Sequence, residues 1–267
     1  MLKRLIVAVL VLAGVLVVAD YAAAAAAESV VSRQLRERLG LADDPNVRIN
    51  GFPFLTQAVA GEYGSIELTA DRLQVGDLRN VQLRARLQDV AAPLSGLLGS
   101  GTPGLRVGTA EGSARVGDDD LGRMLPGVER LSLGNIDANG IADVISDGGD
   151  PSLRTLDPES VARIAGDVPV GSERESVVVL AELQVADGTM RIVPRDVRDS
   201  TGDALPEPVA ELVRQTFSLR VDPGGLPFGV VPTTLQVRDG YLEIGGEAAD
   251  VVIGSAPAGA AATGRPE

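Results

Sequence analysis

Between residues 66 and 88 apolar and polar side chains alternate. Ile66, Leu68 and Ala70 are separated by Glu67 and Thr69, and Val81, Leu83, Ala85 and Leu87 by Gln82, Arg84, Arg86 and Gln88. Successive strand residues point to opposite faces, so a period of two gives one apolar and one polar face, which a half-buried antiparallel strand needs. Leu105 and Val107 continue the style, and Leu131 to Ile136 reads as another strand. Two hairpins are expected later in the chain. Ser176 to Val185 and Met190 to Val193 flank Asp187-Gly188, and Thr234 to Val237 and Tyr241 to Ile244 flank Asp239-Gly240. Asp-Gly between apolar runs is a strong hairpin signal.

Helical signals are fewer. Asp118 to Leu125 has an acidic start and apolar spacing at Leu121, Met124 and Leu125, ending near Pro126-Gly127. Pro206 to Phe217 reads as a helix with Val209, Leu212, Val213 and Thr216 on one side. Asp157-Pro158 resembles a capped helix start, inside a Gly-, Pro- and charge-rich stretch from Asp147 to Ser172 that reads as the connection between two halves. The class expected is α+β: a long, mainly antiparallel sheet packed on a few helices. From Ser255 the Ala/Gly/Pro tail has no periodicity and reads as disordered.

The first residues carry a different signal. Lys3-Arg4 precedes an unbroken apolar run from Leu5 to Ala19, followed by Asp20-Tyr21 and six alanines. These are the proportions of a secretory signal or an uncleaved anchor, and either exports the rest of the chain. Ala22 and Ala24 offer cleavage sites. Alternatively the helix continues through the alanines, with Val31, Leu35 and Leu39 on one stripe. The expected organisation is a signal or anchor over 1–27, one domain of two loosely similar halves over 28–254, and the tail over 255–267.

Composition narrows the chemistry. The 267 residues include no His and no Cys, and the only Lys is Lys3. Histidine- and cysteine-dependent nucleophilic catalysis, Schiff-base chemistry and disulfides are therefore unavailable, and zinc lacks its usual ligands. An enzyme would have to use carboxylates, Ser, Thr, Tyr and Arg, as in glycosidase-like or metal-assisted reactions. Neither Asp118-Asp119-Asp120 nor Asp137-Ala138-Asn139-Gly140 matches a calcium loop; both read as capping or turn residues. Gly99 to Gly104 has dinucleotide-fingerprint spacing, but the following Leu105-Arg106-Val107 reads as a strand, which leaves a turn. No metal and no cofactor are expected. A net charge of −13 without clustered basic residues disfavours nucleic acid. Arg84 and Arg86 share a strand face and could meet a phosphate headgroup, or pair with acidic neighbours.

Aromatic rings are scarce: four Phe, three Tyr and no Trp. Three of the four Phe lie in two similar segments, Gly51-Phe52-Pro53-Phe54-Leu55 and Gly225-Leu226-Pro227-Phe228-Gly229. Such rings either close the end of an aliphatic core or face an apolar ligand. Phe52, Phe54, Leu55, Leu226 and Phe228 are the candidate ligand-contact residues.

The segment Val47 to Gln57, with Gly61-Glu62-Tyr63-Gly64-Ser65-Ile66 after it, resembles the signature of the LmeA-like phospholipid-binding family of actinobacterial envelope proteins. The Asp-Asp-Leu stretch near Leu121 and Leu226-Pro227-Phe228 before the last hairpin extend the resemblance over roughly residues 25 to 253. It implies a non-enzymatic, periplasm-facing or membrane-anchored protein that binds phospholipid or another acyl-chain lipid. It also implies a tubular lipid-binding-like fold, whose long curved sheet wraps a helix and leaves an apolar groove. The family's best-known member supports mannan elongation in lipomannan and lipoarabinomannan synthesis, so the membrane surface and an envelope glycosyltransferase are the further partners implied. The rival readings are a structural or adaptor envelope protein without lipid, and a carboxylate-dependent glycan enzyme.

Overall fold

A computed structural model of the protein describes residues 1–75, 78–93, 105–221, 231–238 and 240–253. Five helices are present among them: α1 (Leu2–Leu39), α2 (Phe54–Ala60), α3 (Asp118–Met124), α4 (Ala138–Ser146) and α5 (Glu207–Phe217). The strands are β1 (Asn46–Asn50), β2 (Glu62–Val75), β3 (Leu78–Ala91), β4 (Leu105–Gly117), β5 (Glu129–Asn135), β6 (Val161–Val170), β7 (Glu173–Ala186), β8 (Thr189–Asp199), β9 (Leu219–Val221), β10 (Val231–Arg238) and β11 (Tyr241–Ile253). They form two open antiparallel sheets, a six-stranded one in the order β1-β2-β3-β4-β11-β10 and a five-stranded one in the order β5-β6-β7-β8-β9. The class is α+β, as the periodicity required.

The chain divides into two compact units. One comprises Met1–Thr69, Ala85–Glu111 and Ala248–Glu267, and the other Ala70–Arg84 and Gly112–Glu247. Each has its own aliphatic core. In the first, Val47, Ile49, Ile66, Val90, Val107, Ala110 and Val251 pack with Phe54 and Tyr63. In the second, Ile164, Val168, Val177, Val179, Leu183 and Ile192 pack with Leu121 and with Val213 and Phe217 of α5.

Local chemistry explains the second unit's frame. The β7–β8 hairpin turns at Asp187 and Gly188, both at positive φ (52° and 72°), the pairing that suits the right-handed twist of adjoining strands. α5 buries Ala210, Val213 and Phe217, a helical stripe packed on β8. That stripe is rotated from the one expected: Val209 is partly buried but Leu212 is exposed. Asp120, fully buried in α3, accepts hydrogen bonds from the N–H groups of Arg79 (3.1 Å) and Asn80 (2.8 Å) and pairs with Arg123. Asp137 caps α4 through the Gly140 N–H at 2.8 Å, the capping role its position suggested.

The stretch from 147 to 172 differs from its reading as a connection. Asp157 does cap a turn, but only a single 3₁₀ turn over Pro158–Ser160. The chain then enters β6, an interior strand of the five-stranded sheet, where Gly166, Asp167 and Pro169 had obscured the apolar Val161, Ile164 and Val168. Asp167 is buried because it is satisfied. Its carboxylate accepts the Ser176 hydroxyl at 2.6 Å and pairs with Arg130. The Gly99–Gly104 and Gly225–Gly229 segments, Asp239 and the residues from Ser255 lie outside the described residues.

Candidate functional site

The candidate site is built on α1, which has two chemically distinct halves. Residues 1–19 are all exposed, although from Leu5 to Ala19 they are wholly apolar. The helix is long and apolar enough to cross a membrane, as a signal peptide or an anchor does. From Asp20 onward it packs into the first unit. Ala24, Ala27, Val31 and Leu35 recur at helical spacing and join the core. The side chain of Leu39, expected on the same stripe, is outside the described residues.

Polar bonds sew this second half down. Glu28 accepts the Ile49 N–H of β1 at 2.8 Å, Ser32 donates to the Pro45 carbonyl, and Arg36 pairs with Asp44 at 3.1 Å. Asp20 reaches furthest in sequence. It is 4% exposed, and its two carboxylate oxygens accept the N–H groups of Phe54 and Leu55, each at 2.8 Å. These donors open the first turn of α2, whose N-cap residue, Pro53, has no side-chain acceptor to offer. A carboxylate 34 residues upstream therefore caps α2 and ties it to the point where the apolar run of α1 ends.

That tie fixes which side chains face outward. On α2, Phe54 and Ala58 are buried in the core, while Leu55 (44%) and Val59 (91%) sit one turn apart on the open side. Phe52 is 58% exposed and stacks on Tyr21 of α1, itself 64% exposed, with ring centroids 5.9 Å apart. The preceding bend needs glycine. Gly51 has φ +118°, and a Cβ there would meet the Gln57 side chain at 2.6 Å. Beneath the exposed layer Phe54 lies against Tyr63 (centroids 6.4 Å apart), whose hydroxyl is buried without a hydrogen-bond partner. Burial pushes that phenol's pKa up.

The five residues singled out in the sequence thus fare differently. Phe52 and Leu55 are both exposed, Phe54 is buried in the core between them in sequence, and Leu226 and Phe228 lie outside the described residues. Tyr21, Val59 and Asp20 were missed. An acidic residue directly after fifteen apolar ones was the available signal for Asp20, because a carboxylate at a lipid boundary needs partners. Arg86 is paired with Glu67 at 2.9 Å, the acidic-neighbour alternative for that residue. Among the described residues no group of acidic side chains is arranged to hold a metal ion.

The family model for LmeA-like phospholipid-binding proteins matches residues 18–247. The chain belongs to that family. No curated protein and no solved structure matches it. The family match begins two residues before Asp20, so the LmeA-like domain takes in the packed half of α1 as well as the Phe52–Leu55 segment.

Proposed function

We propose that this protein binds a phospholipid or another acyl-chain lipid at the outer face of the cytoplasmic membrane, and that it has no catalytic activity of its own. The observation that carries the reading is the exposed face of Phe52, Leu55, Val59 and Tyr21 within a matched phospholipid-binding domain. A chain with so few aromatics places two of its rings in the open, beside the end of an apolar helix. Phe52 and Leu55 are the proposed contacts with the acyl chains.

Magnitudes favour tails over headgroup as the source of affinity. Burying acyl chain contributes about 0.8 kcal/mol per methylene, so ten methylenes give roughly 8 kcal/mol before ordering costs. An exposed ion pair adds about 0–1 kcal/mol and is screened by salt. The net charge of −13 therefore tunes headgroup choice without opposing binding. In the cell the bound lipid would be a precursor or carrier lipid for mannan elongation of lipoglycans, delivered to an envelope glycosyltransferase.

The test is lipid extraction from the purified full chain, read by mass spectrometry. A fusion of residues 1–40 to an unrelated domain corrects for lipid that follows the helix. A defined set of phospholipids enriched over that fusion is expected. Recovery equal to the fusion would overturn the reading.

A further inference from the structure

The exposed face and the apolar half of α1 end at the same place. From Leu2 to Tyr21 is about 20 residues, or about 30 Å of helix, the thickness of a bilayer's hydrocarbon core. Lys3 and Arg4 mark one end of that length, and cationic flanks stay on the cytoplasmic side. Tyr21 marks the other end, at the depth where interfacial aromatic residues collect. There the Asp20 carboxylate holds α2, so Phe52, stacked on Tyr21, and the open α2 face of Leu55 and Val59 are fixed at the level where the span ends.

The same bonds bear on processing. Cleavage among the alanines at 22–27 would remove Asp20 and leave the N–H groups of Phe54 and Leu55 without their acceptor. A cut after Ala24 would also strip Ala23 and Ala24, which pack on the first unit's core. A segment that caps a second helix and contributes to a core is part of the folded domain.

We propose that α1 is retained after export as a single-span anchor, and that Tyr21, Phe52, Leu55 and Val59 form a collar at its outer end, seated in the headgroup–acyl boundary of the outer leaflet. The occupant is the bilayer and not a second copy of the chain, because Tyr21, on which Phe52 stacks, stands at the end of the exposed apolar run of α1. The collar holds the first unit at a fixed depth whether or not the protein carries a lipid ligand, so this inference can fail independently of the proposed function.

The chain contains no Trp, so single tryptophans report without background. Full-length Phe52→Trp, Leu55→Trp and Val59→Trp, with Leu10→Trp as the mid-span reference, are reconstituted in phosphatidylcholine/phosphatidylglycerol vesicles. Each is quenched with lipids brominated either near the glycerol or near the chain end. The reference is expected to be quenched most by deep bromines and the three collar positions most by shallow ones, with blue-shifted emission. Collar tryptophans that emit as in water and escape both quenchers, beside a deeply quenched reference, would overturn the collar. So would a blue shift without quenching that grows with protein density, which would indicate a second copy. A reference that escapes deep quenching would overturn the span. Intact mass of the membrane-fraction protein from a bacterial host is expected to include residues 2–19. An N-terminus between 22 and 28 would overturn retention.

Discussion

A carboxylate at the end of fifteen apolar residues would face a large desolvation cost unless its charge were satisfied. Asp20 meets that requirement with two backbone N–H groups, and in doing so completes a helix that cannot cap itself. Replacing it by Ala leaves both donors without their acceptor, one of them buried, at a cost of about 1–3 kcal/mol. The expected result for Asp20→Ala is loss of hydrogen-exchange protection at Phe54 and Leu55, with partial recovery in Asp20→Asn, which keeps one carbonyl acceptor. Unchanged protection would mean that α2 holds itself. The same residue shows where sequence reading stopped. Phe52 and Leu55 could be picked out because Gly and Pro bracket them, but Tyr21 and Asp20 meet them only through folding across more than 30 residues.

At the level of single elements, strands with clean alternation and the Asp187-Gly188 turn were legible, because local chemistry alone decides them. β6 was not, since it carries a buried acid and a proline whose partners lie on β5 and β7. Its Asp167 gives a pH signature. The Ser176 hydroxyl first, and the Arg130 guanidinium next, hold this carboxyl below its ordinary pKa. A depressed folded-state pKa contributes stability that is complete above the unfolded value of about 4 and disappears as pH falls through the lower folded value. Asp167→Asn should therefore have a lower urea midpoint than the parent at pH 7, and the gap should close as pH drops below about 4. A gap constant from pH 7 to 2.5 would show that the charge on Asp167 does not stabilise the sheet. The rotated stripe of α5 has a simpler origin. Spacing alone admits neighbouring stripes, and the packing of Ala210, Val213 and Phe217 on β8 selects one.

For the whole molecule, what could be read early was mostly composition and a membrane-crossing length: no His, no Cys, one Lys, and fifteen apolar residues after a basic start. The division into two units was not legible, because β2, β3, β4 and β11 each contribute residues to both, and no composition shift marks a boundary inside a continuous strand. Family membership follows from the match over residues 18–247 and gives the ligand class. The proposal is that acyl chains, more than charge, set the affinity. The direct test displaces a fluorescent phospholipid from the full-length protein with phospholipids of one headgroup and increasing chain length, at low and high salt. Affinity should rise with each added methylene, by at most the roughly fourfold that about 0.8 kcal/mol allows, until the added length is no longer buried, and should change little with salt. Displacement that ignores chain length and collapses at high salt, or no displacement at all, would contradict the account.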